Sequence, residues 1–566
     1  MKKKLLTIMV FAVSMAFVCL GLTACGGDGT GTAEAPEAEA PEAEAPVVEA
    51  PTGTYTGIAN DGVMEFKGIR YGEFTPFLPA TDVTTTTEDQ IDATEYGANC
   101  IQPYSEVEVS SQDPCSHDCL FLNIFTKDTA TEDKPVIFWI HGGGYTSGGE
   151  SDPCYDAQYF VRNLPEGEDC VFITINYRYN FMGGCDMSIL EGYTEEYAQA
   201  KDLSKLDQKQ ALKWVSENIE AWGGDPNNVT IMGHSSGGAA VQALYVDPEC
   251  NKYFNRCIQN SGIMSSVAIS EEQFAENSQT IFDILGVKSV DELTALSDKE
   301  INSKIEEICE AVDAGNRCAD GVVTSKTWWD DFRNGSAKDI DLLVGSVNGE
   351  EDWDAIDWDN GNSEPIKDAE ILHKMMTDYE NGKPEVYGVL YGQDLYDEYL
   401  ALGEFDSDVQ NAMTLWNEFR APYGSLLAAE VQSKNNENVW LYYWEYAPDK
   451  DMVLEYSKDA AEVSPWGRAM HTMDVCHEFG TKEGYTELTG DPAKWNDELT
   501  TQVQAAMYNF AKTGNPNGEG VAEWKPYNDE TRCTMVVKED GTMKCESNYR
   551  SNVYDLLRTV RPYGEQ

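Results

Sequence analysis

The chain has 566 residues, of which 41% are hydrophobic and 11% aromatic, and this composition supplies enough apolar material for a large packed core. It excludes a wholly disordered or collagen-like protein. Lys and Arg number 40 against 99 Asp and Glu, so the net charge is −59 at pH 7. Because so negative a surface repels phosphate backbones, nucleic acid is not expected as a partner.

Residues 1–24 have the pattern of a secretory signal peptide, with three lysines before an apolar run over residues 5–22. The run ends in the sequence LTAC, which resembles a bacterial lipobox, and the resemblance implies that Cys25 is lipidated. The alternative is a transmembrane anchor, because about 20 apolar residues span a bilayer. Polar residues directly after Cys25 favour the lipobox. Either interpretation predicts an extracytoplasmic protein, and the lipobox predicts a lipid anchor in the cell membrane.

The next segment, residues 25–52, is rich in Ala, Pro and Glu and has almost nothing to bury. Such a composition, with like charges that repel, predicts an extended tether. No comparable linker follows, so residues 53–566 are predicted to form one catalytic domain.

The cysteine content agrees with an exported protein. Of 15 Cys, Cys19 lies in the signal peptide and Cys25 is the lipid site, which leaves an odd number of 13. Four close pairs could clip short loops, and the sequence favours two of them over Cys309–Cys318 and Cys533–Cys545. The favoured pairs are Cys100 with Cys119 and Cys250 with Cys257.

The middle of the chain alternates between strand and helix patterns. Continuous apolar runs at residues 135–140 and 171–175 predict strands that are covered on both faces. Residues 207–222 have helical spacing, and a strand at 228–232 leads through a glycine turn into a helix from 239. This alternation predicts a mostly parallel central sheet with helices on both faces.

The glycine turn contains the motif GxSxG, with Ser235 at its centre. At a strand-to-helix junction this is a nucleophile elbow, where glycines allow a backbone too tight for side chains and the serine oxygen projects above the sheet. The alternative interpretation is an ordinary glycine-rich turn. The flanking strand and helix favour the nucleophile elbow over this alternative.

A second glycine-rich segment, His141 to Gly144, follows the strand at 135–140. Its backbone N–H groups at Gly143 and Gly144, together with that of Ser236, are predicted to form an oxyanion hole for acyl transfer. A phosphate-binding P-loop is excluded because no GK[ST] sequence follows.

Hydrolases with this elbow order their triad as serine, acid, histidine. Three histidines follow Ser235, at positions 373, 471 and 477. His373 lies in a helical pattern, and the loop-like surroundings of His471 make it the preferred base, although position alone leaves His477 open. His234 adjoins the serine, but neighbours on a tight turn point in different directions, so it is predicted to support the elbow.

The stretch from residue 212 to 238, LKWVSENIEAWGGDPNNVTIMGHSSGG, resembles type-B carboxylesterases, the carboxylesterase and cholinesterase family. Further similar segments lie at residues 66–71, 118–123, 260–262 and 510–516, so the resemblance covers nearly all of residues 53–566. It implies an α/β-hydrolase fold and a serine carboxylesterase that needs no cofactor.

The resemblance also implies roles for single residues. Glu350, five residues after a glycine that closes a strand, matches the family's acid, and the segment around His471 matches the family's histidine. Ser261 and Asp474 match a second layer around the histidine. His234 replaces the acidic residue that the family has before its nucleophile.

The expected substrate is a small carboxylic ester. One acidic segment, residues 352–361, could gather oxygen ligands for calcium, but it lacks the EF-hand spacing, and a solvated loop is favoured with no metal site. Two other functions stay open: a non-catalytic cell-surface binding protein on the same fold, and a lipase.

Overall fold

The computed structural model describes residues 45–105, 109–112, 114–264, 268–312, 315, 317–318, 321–352, 356–357, 364–365, 393–405, 407–447, 468–489 and 495–560. The predicted signal peptide, the lipid site Cys25 and most of the tether lie outside these residues, as do His373 and most of the acidic segment after Asp352. Among the residues described, none of the helices combines the length and apolar character needed to cross a bilayer.

The strands follow the predicted pattern of short apolar runs. In chain order they are β1 (Val47–Ala50), β2 (Gly53–Thr56), β3 (Ile58–Asn60), β4 (Val63–Arg70), β5 (Gln90–Asp92), β6 (Asn99–Cys100), β7 (Cys115–Ser116), β8 (Phe121–Thr126), β9 (Lys134–Ile140), β10 (Val171–Ile175), β11 (Gly224–His234), β12 (Arg256–Asn260), β13 (Ala268–Ile269), β14 (Arg317–Cys318), β15 (Asp341–Val347), β16 (Ile356–Asp357), β17 (Glu364–Pro365), β18 (Val439–Trp444), β19 (Cys533–Val537) and β20 (Met543–Ser547).

Within the described residues the main sheet has the strand order β20-β19-β18-β15-β12-β11-β9-β10-β8-β4-β3. Its centre, from β10 to β19, is parallel throughout, and antiparallel strands flank it at both edges. This arrangement confirms the predicted mostly parallel sheet. In parallel sheets the carboxyl ends of the strands share one edge, and the segments that follow β9, β11, β12 and β15 therefore meet there.

The helices are α1 (Ala157–Asn163), α2 (Asn180–Gly183), α3 (Leu203–Asn218), α4 (Ser236–Tyr245), α5 (Glu271–Leu285), α6 (Val290–Thr294), α7 (Asp298–Asn302), α8 (Ile305–Ala311), α9 (Trp328–Arg333), α10 (Gln393–Leu400), α11 (Asp408–Gln432), α12 (Met473–Phe479), α13 (Lys482–Thr489), α14 (Asp497–Thr513) and α15 (Ser551–Val560).

The helices cover both faces of the sheet, as the continuous apolar strands require. In β9, Phe138 and Ile140 join one apolar cluster with side chains of α3, α4 and α11, whereas Ile137 and Trp139 join the other with side chains of α1, α12 and α14. Burying each such side chain contributes about 1.5–3 kcal/mol. The two cores therefore fix the position of the strand ends that carry the site.

The folded body begins before the predicted boundary at residue 53. Strand β1 lies inside the segment predicted as tether and pairs with β2, with Val48 opposite Tyr55. The physical reason is local: Val47 and Val48 interrupt the Ala/Pro/Glu composition, and β-branched residues pack well on a sheet.

The choice of Cys250 with Cys257 needs a correction, whereas the pairing of Cys100 with Cys119 stays a prediction. The structure forms Cys533–Cys545, across the hairpin of β19 and β20, and leaves both favoured pairs as thiols. Cys100 and Cys119 are in hydrogen-bond contact, whereas the Cys250 thiol contacts Asp247 rather than Cys257. Proximity in sequence does not fix where the sulfur atoms point, and this is what bond formation depends on.

Candidate active site

Ser235 occupies a tight turn between β11 and α4. Its backbone has φ 58° and ψ −126°, a conformation that costs a non-glycine residue about 1–3 kcal/mol and persists only when its surroundings hold it. The Ser235 N–H donates to the Asn260 carbonyl at 3.0 Å, and the Ser235 carbonyl accepts from the Ala239 N–H at 3.0 Å. The predicted elbow is therefore present, and β12 and α4 hold it in place.

Two glycines make this turn sterically possible. A Cβ added to Gly262 would lie 1.9 Å from the Ser235 carbonyl oxygen, and one added to Gly237 would lie 2.1 Å from the Ile140 carbonyl oxygen. No side chain fits at either position, so the elbow depends on close approach of three backbone segments.

The glycine loop after β9 lies against the serine. Gly143 and Gly144 have φ of 100° and 63°, and a Cβ on Gly142 would lie 3.0 Å from Cβ of Ser235. The Tyr145 N–H donates to the Ser236 hydroxyl at 3.3 Å, which ties the loop to the start of α4. The structure thus brings the predicted oxyanion donors to the side of the nucleophile.

His141 anchors the start of this loop without facing solvent. Its ring stacks on Tyr177 at 4.5 Å between centroids, and the Tyr177 hydroxyl donates to the His141 carbonyl at 2.8 Å. Burial lowers the pKa of His141 to about 4. The ring is therefore a neutral packing group.

His471 and Glu350 form a hydrogen bond of 2.5 Å between Nδ1 and Oε2. The carboxyl side chain is 1% exposed and the imidazole 15%, and the second carboxyl oxygen accepts from the Val347 N–H at 3.0 Å. Burial by itself lowers the pKa of His471, but the charge of Glu350 and this hydrogen bond outweigh it, so the pKa is raised above its ordinary value. An imidazole oriented through Nδ1 in this way can take a proton at its other nitrogen.

A buried ion pair joins the two loops that carry these residues. Arg468 donates to Asp352 through Nε at 3.0 Å and Nη2 at 2.7 Å, and the Gly349 N–H donates to the Ala469 carbonyl at 2.8 Å. The carboxylate of Asp352 is therefore paired with Arg468. Among the described residues, no group of His, Cys, Asp and Glu side chains is placed to hold a metal ion.

His234 packs directly against the histidine of this pair, with 4.3 Å between the ring centroids. Burial, and then the neighbouring His471, lowers the pKa of His234 well below its ordinary value. A neutral ring at this distance places His471 beside the elbow, which agrees with the supporting role predicted for His234.

The sequence model of a protein family, described as the carboxylesterase family, matches residues 44–557 of the chain. The chain belongs to the carboxylesterase family. It is 30% identical over 510 residues to a para-nitrobenzyl esterase of Bacillus subtilis strain 168, which covers 87% of this chain and 94% of that one.

Solved structures agree with this membership. The chain is similar to a thermophilic PNB esterase with a TM-score of 0.73 and 27% identity, and to a carboxylesterase of Geobacillus stearothermophilus with a TM-score of 0.72 and 27% identity. Each similarity covers 90% of this chain and 99% of the other. The predicted α/β-hydrolase fold and carboxylic ester hydrolase class are thereby confirmed, and the comparisons favour neither the binding-protein nor the lipase alternative.

The two residues predicted to form a second layer around the histidine, Ser261 and Asp474, differ from each other in their contacts. Asp474 is fully buried and accepts from the Tyr442 hydroxyl at 2.9 Å. Burial, followed by the charge of Glu350, raises the pKa of Asp474 to about 6. Ser261 has φ 49° and donates its N–H to the Gly345 carbonyl at 2.9 Å, while its hydroxyl has no partner among the described residues.

The carboxylesterase also contains a buried acid that the sequence analysis missed. Glu478 is 1% exposed and accepts from the Asn260 side-chain amide at 2.6 Å. Burial, then the charge of Asp474, raises its pKa well above the ordinary value. The available signal was the four-residue spacing of Asp474 and Glu478, which puts both on one face of α12.

The structure also distinguishes between the two candidate histidines, His471 and His477, by their contacts. His477 accepts or donates a 2.8 Å hydrogen bond with Thr500 and stacks on Trp495 at 4.5 Å between centroids. Burial lowers the pKa of His477 to about 3. It is a packing residue, and His471 is the one paired with a carboxylate.

Proposed function

We propose that this carboxylic ester hydrolase acts on small esters through an acyl-enzyme on Ser235, with His471 as general base and Glu350 as the acid that orients it. The observation that carries the proposal is the 2.5 Å bond between His471 and the buried Glu350, on the sheet edge where Ser235 sits in its strained turn. A nucleophile, a base and an oriented partner for the base are the elements that covalent acyl transfer requires.

In acylation, the Ser235 oxygen attacks the ester carbonyl carbon while His471 takes the hydroxyl proton. Negative charge develops on the carbonyl oxygen, and the N–H groups of Gly143, Gly144 and Ser236 stabilise it. His471 then gives the proton to the departing alkoxide, so an alcohol leaves and the acyl group stays on the serine. The carboxylate of Glu350 stabilises the imidazolium formed between these two transfers.

Deacylation repeats the sequence with water as the nucleophile. His471 takes a proton from water, the hydroxide oxygen bonds to the acyl carbon, and the Ser235 oxygen leaves and regains the proton. The products are a carboxylic acid and the free enzyme, and each proton that His471 takes is returned within the same half-reaction.

The proposal is tested by hydrolysis of p-nitrophenyl esters with short and medium acyl chains, measured beside a Ser235→Ala control. We expect turnover by the wild type with a burst of one p-nitrophenol per enzyme when deacylation is slow, and its loss in the control. Comparable turnover in the Ser235→Ala protein would refute the assignment of the nucleophile.

For the location of the enzyme, we propose export and attachment to the cell membrane by a lipid on Cys25. The signal-peptide pattern of residues 1–24 and the sequence LTAC support this. In cells expressing the full chain, we expect the wild type in the membrane fraction and a Cys25→Ser variant released from it. Equal partition of the two forms would contradict the anchor.

A further inference from the structure

Two buried cysteines meet beside the helix that follows His471. Cys154 lies in a single helical turn, Pro153–Tyr155, and Cys476 lies in α12. Cys154 is 7% exposed and Cys476 fully buried, and their thiols are in hydrogen-bond contact. The pair joins two segments that are far apart in sequence.

The backbones of the two residues are also close. The Thr481 hydroxyl lies 2.7 Å from the Cys154 carbonyl oxygen and 3.4 Å from that of Cys476. A Cβ on Gly484, in α13, would lie 2.8 Å from Cα of Cys154, so α13 presses against the turn. A disulfide needs Cα atoms about 4.4–6.8 Å apart with facing side chains. The shared Thr481 hydroxyl brings the two backbones near each other, and the thiol contact shows that the side chains face each other.

Cys250 and Cys257 provide a contrast within the same molecule. Both are buried, and they are close in sequence, but the Cys250 thiol contacts the Asp247 carboxyl. Burial alone therefore does not produce a thiol pair in this protein. Among the described residues, Cys154 and Cys476 have such a contact, as do Cys100 and Cys119.

We propose that Cys154 and Cys476 form a second disulfide, made by thiol–disulfide exchange with a small-molecule or protein disulfide. One cysteine, as thiolate, attacks a sulfur of the donor disulfide and releases one thiol. The second cysteine attacks the mixed disulfide and releases the other thiol. The two cysteines lose two electrons and two protons, and the donor disulfide gains them as two thiols.

The bond would join α12, the helix that follows His471, to the segment that follows the glycine loop after β9. Cys476 comes five residues after His471, and Cys154 follows the loop that begins at His141. A cross-link that closes so long a stretch of chain restricts the unfolded state strongly. We therefore expect it to slow unfolding of this side of the site rather than to change the chemical step.

The first test is direct identification of the bond. The full chain is unfolded, refolded in a mixture of reduced and oxidised glutathione, alkylated under denaturing conditions and digested without reduction for mass spectrometry. We expect a peptide that links Cys154 to Cys476. Alkyl groups on both residues, in a sample where the Cys533–Cys545 peptide is linked, would overturn the proposal.

The second test measures unfolding, which does not depend on ester hydrolysis. Oxidised and reduced wild type are compared by tryptophan fluorescence with Cys154→Ser and with the control Cys250→Ser. We expect reduction to speed unfolding of the wild type and of Cys250→Ser by about tenfold or more, and of Cys154→Ser by clearly less, since that variant retains the other bond. The same acceleration in all three proteins would contradict the proposed cross-link and leave the proposed esterase function untouched.

Discussion

The nucleophile half of the site (residues 141–145, 233–239 and 260–262) is held by backbone contacts, whereas the acid–base half (residues 347–352 and 468–479) is held by buried charged side chains. In the first half, glycines allow peptide groups to approach until a single Cβ would collide. In the second half, Glu350, Asp352 and Asp474 are all buried within two short segments. The first half therefore tolerates almost no added volume, and the second depends on how charges are paired.

This difference predicts how each half fails. Steric changes are expected to disable the nucleophile half, and changes of charge or hydrogen bonding the acid–base half. The predictions below test that distinction.

The largest effect is expected from Glu350→Gln. The amide preserves the size of the side chain but cannot stabilise the imidazolium and can favour the wrong tautomer of His471, so kcat should fall by about 10⁴-fold. Steady-state kinetics on a p-nitrophenyl ester measure this, with circular dichroism to verify the fold. A loss below tenfold would show that another group fulfils the role.

Gly262→Ala tests the steric half. Its Cβ would lie 1.9 Å from the Ser235 carbonyl oxygen, and a displacement of about 1 Å at a nucleophile can cost about 10²-fold in rate. Gly403→Ala is the control for an added methyl group without a clash, because Gly403 has nothing within 4 Å of the added Cβ. Its positive φ of 69°, which Gly262 does not share, makes it the more demanding backbone position for alanine. Equal activity of the two variants would show that the elbow is not sterically limited.

Removing one partner of the Arg468–Asp352 pair tests the charged half through stability. Asp352→Asn removes the carboxylate charge that the nearly buried Arg468 pairs with. Breaking a buried ion pair on one side typically costs about 3–5 kcal/mol in the free energy of unfolding. The double variant Asp352→Leu with Arg468→Met should recover part of the loss, because apolar replacement removes both buried charges. Urea unfolding measures all three proteins, and a double variant less stable than Asp352→Asn would contradict the argument.

The pH dependence follows from the raised pKa of His471. The base works as neutral imidazole, so the acid limb of kcat/KM should lie above pH 6.5, the ordinary histidine value. Asp474→Asn removes one of the charges that raise this pKa, and it should move the acid limb to lower pH. An unchanged limb would mean that the carboxylate of Asp474 does not influence the histidine.

The smallest effect is expected from Glu478→Gln. Because the pKa of Glu478 is raised well above its ordinary value, the residue should be a neutral acid at neutral pH, and glutamine imitates that form. We expect kcat/KM within about twofold of the wild type and loss of one protonated-carboxyl band from the infrared spectrum. A wild-type spectrum without that band would contradict the neutral state.

Sequence reasoning predicted the fold class and the tight turn at Ser235 because their signals are local. A strand, the motif GxSxG and a helix are contiguous around Ser235, and the glycines on either side correspond to contacts that admit no side chain. The signal of the glycine loop after β9 is also local. Gly143 and Gly144 have positive φ values, which glycine adopts more readily than other residues.

The acid–base half was less accessible to sequence reasoning. Position left His477 as an alternative to His471, and only packing shows that His477 is enclosed by Trp495 and Thr500. The buried Glu478 was missed, because its partner Asn260 lies on another element of the fold.

The sequence by itself determined the parallel sheet and the elbow at Ser235, because apolar periodicity and glycine spacing act between near neighbours. The resemblance of several of its segments to type-B carboxylesterases indicated a group of ester hydrolases. Only the tertiary structure decided which histidine faces a carboxylate, which cysteines touch and which carboxyls share one buried space. Those outcomes depend on distances between residues on different elements, such as His471 and Glu350, which are 121 positions apart. Such distances are set by how the helices pack on the sheet.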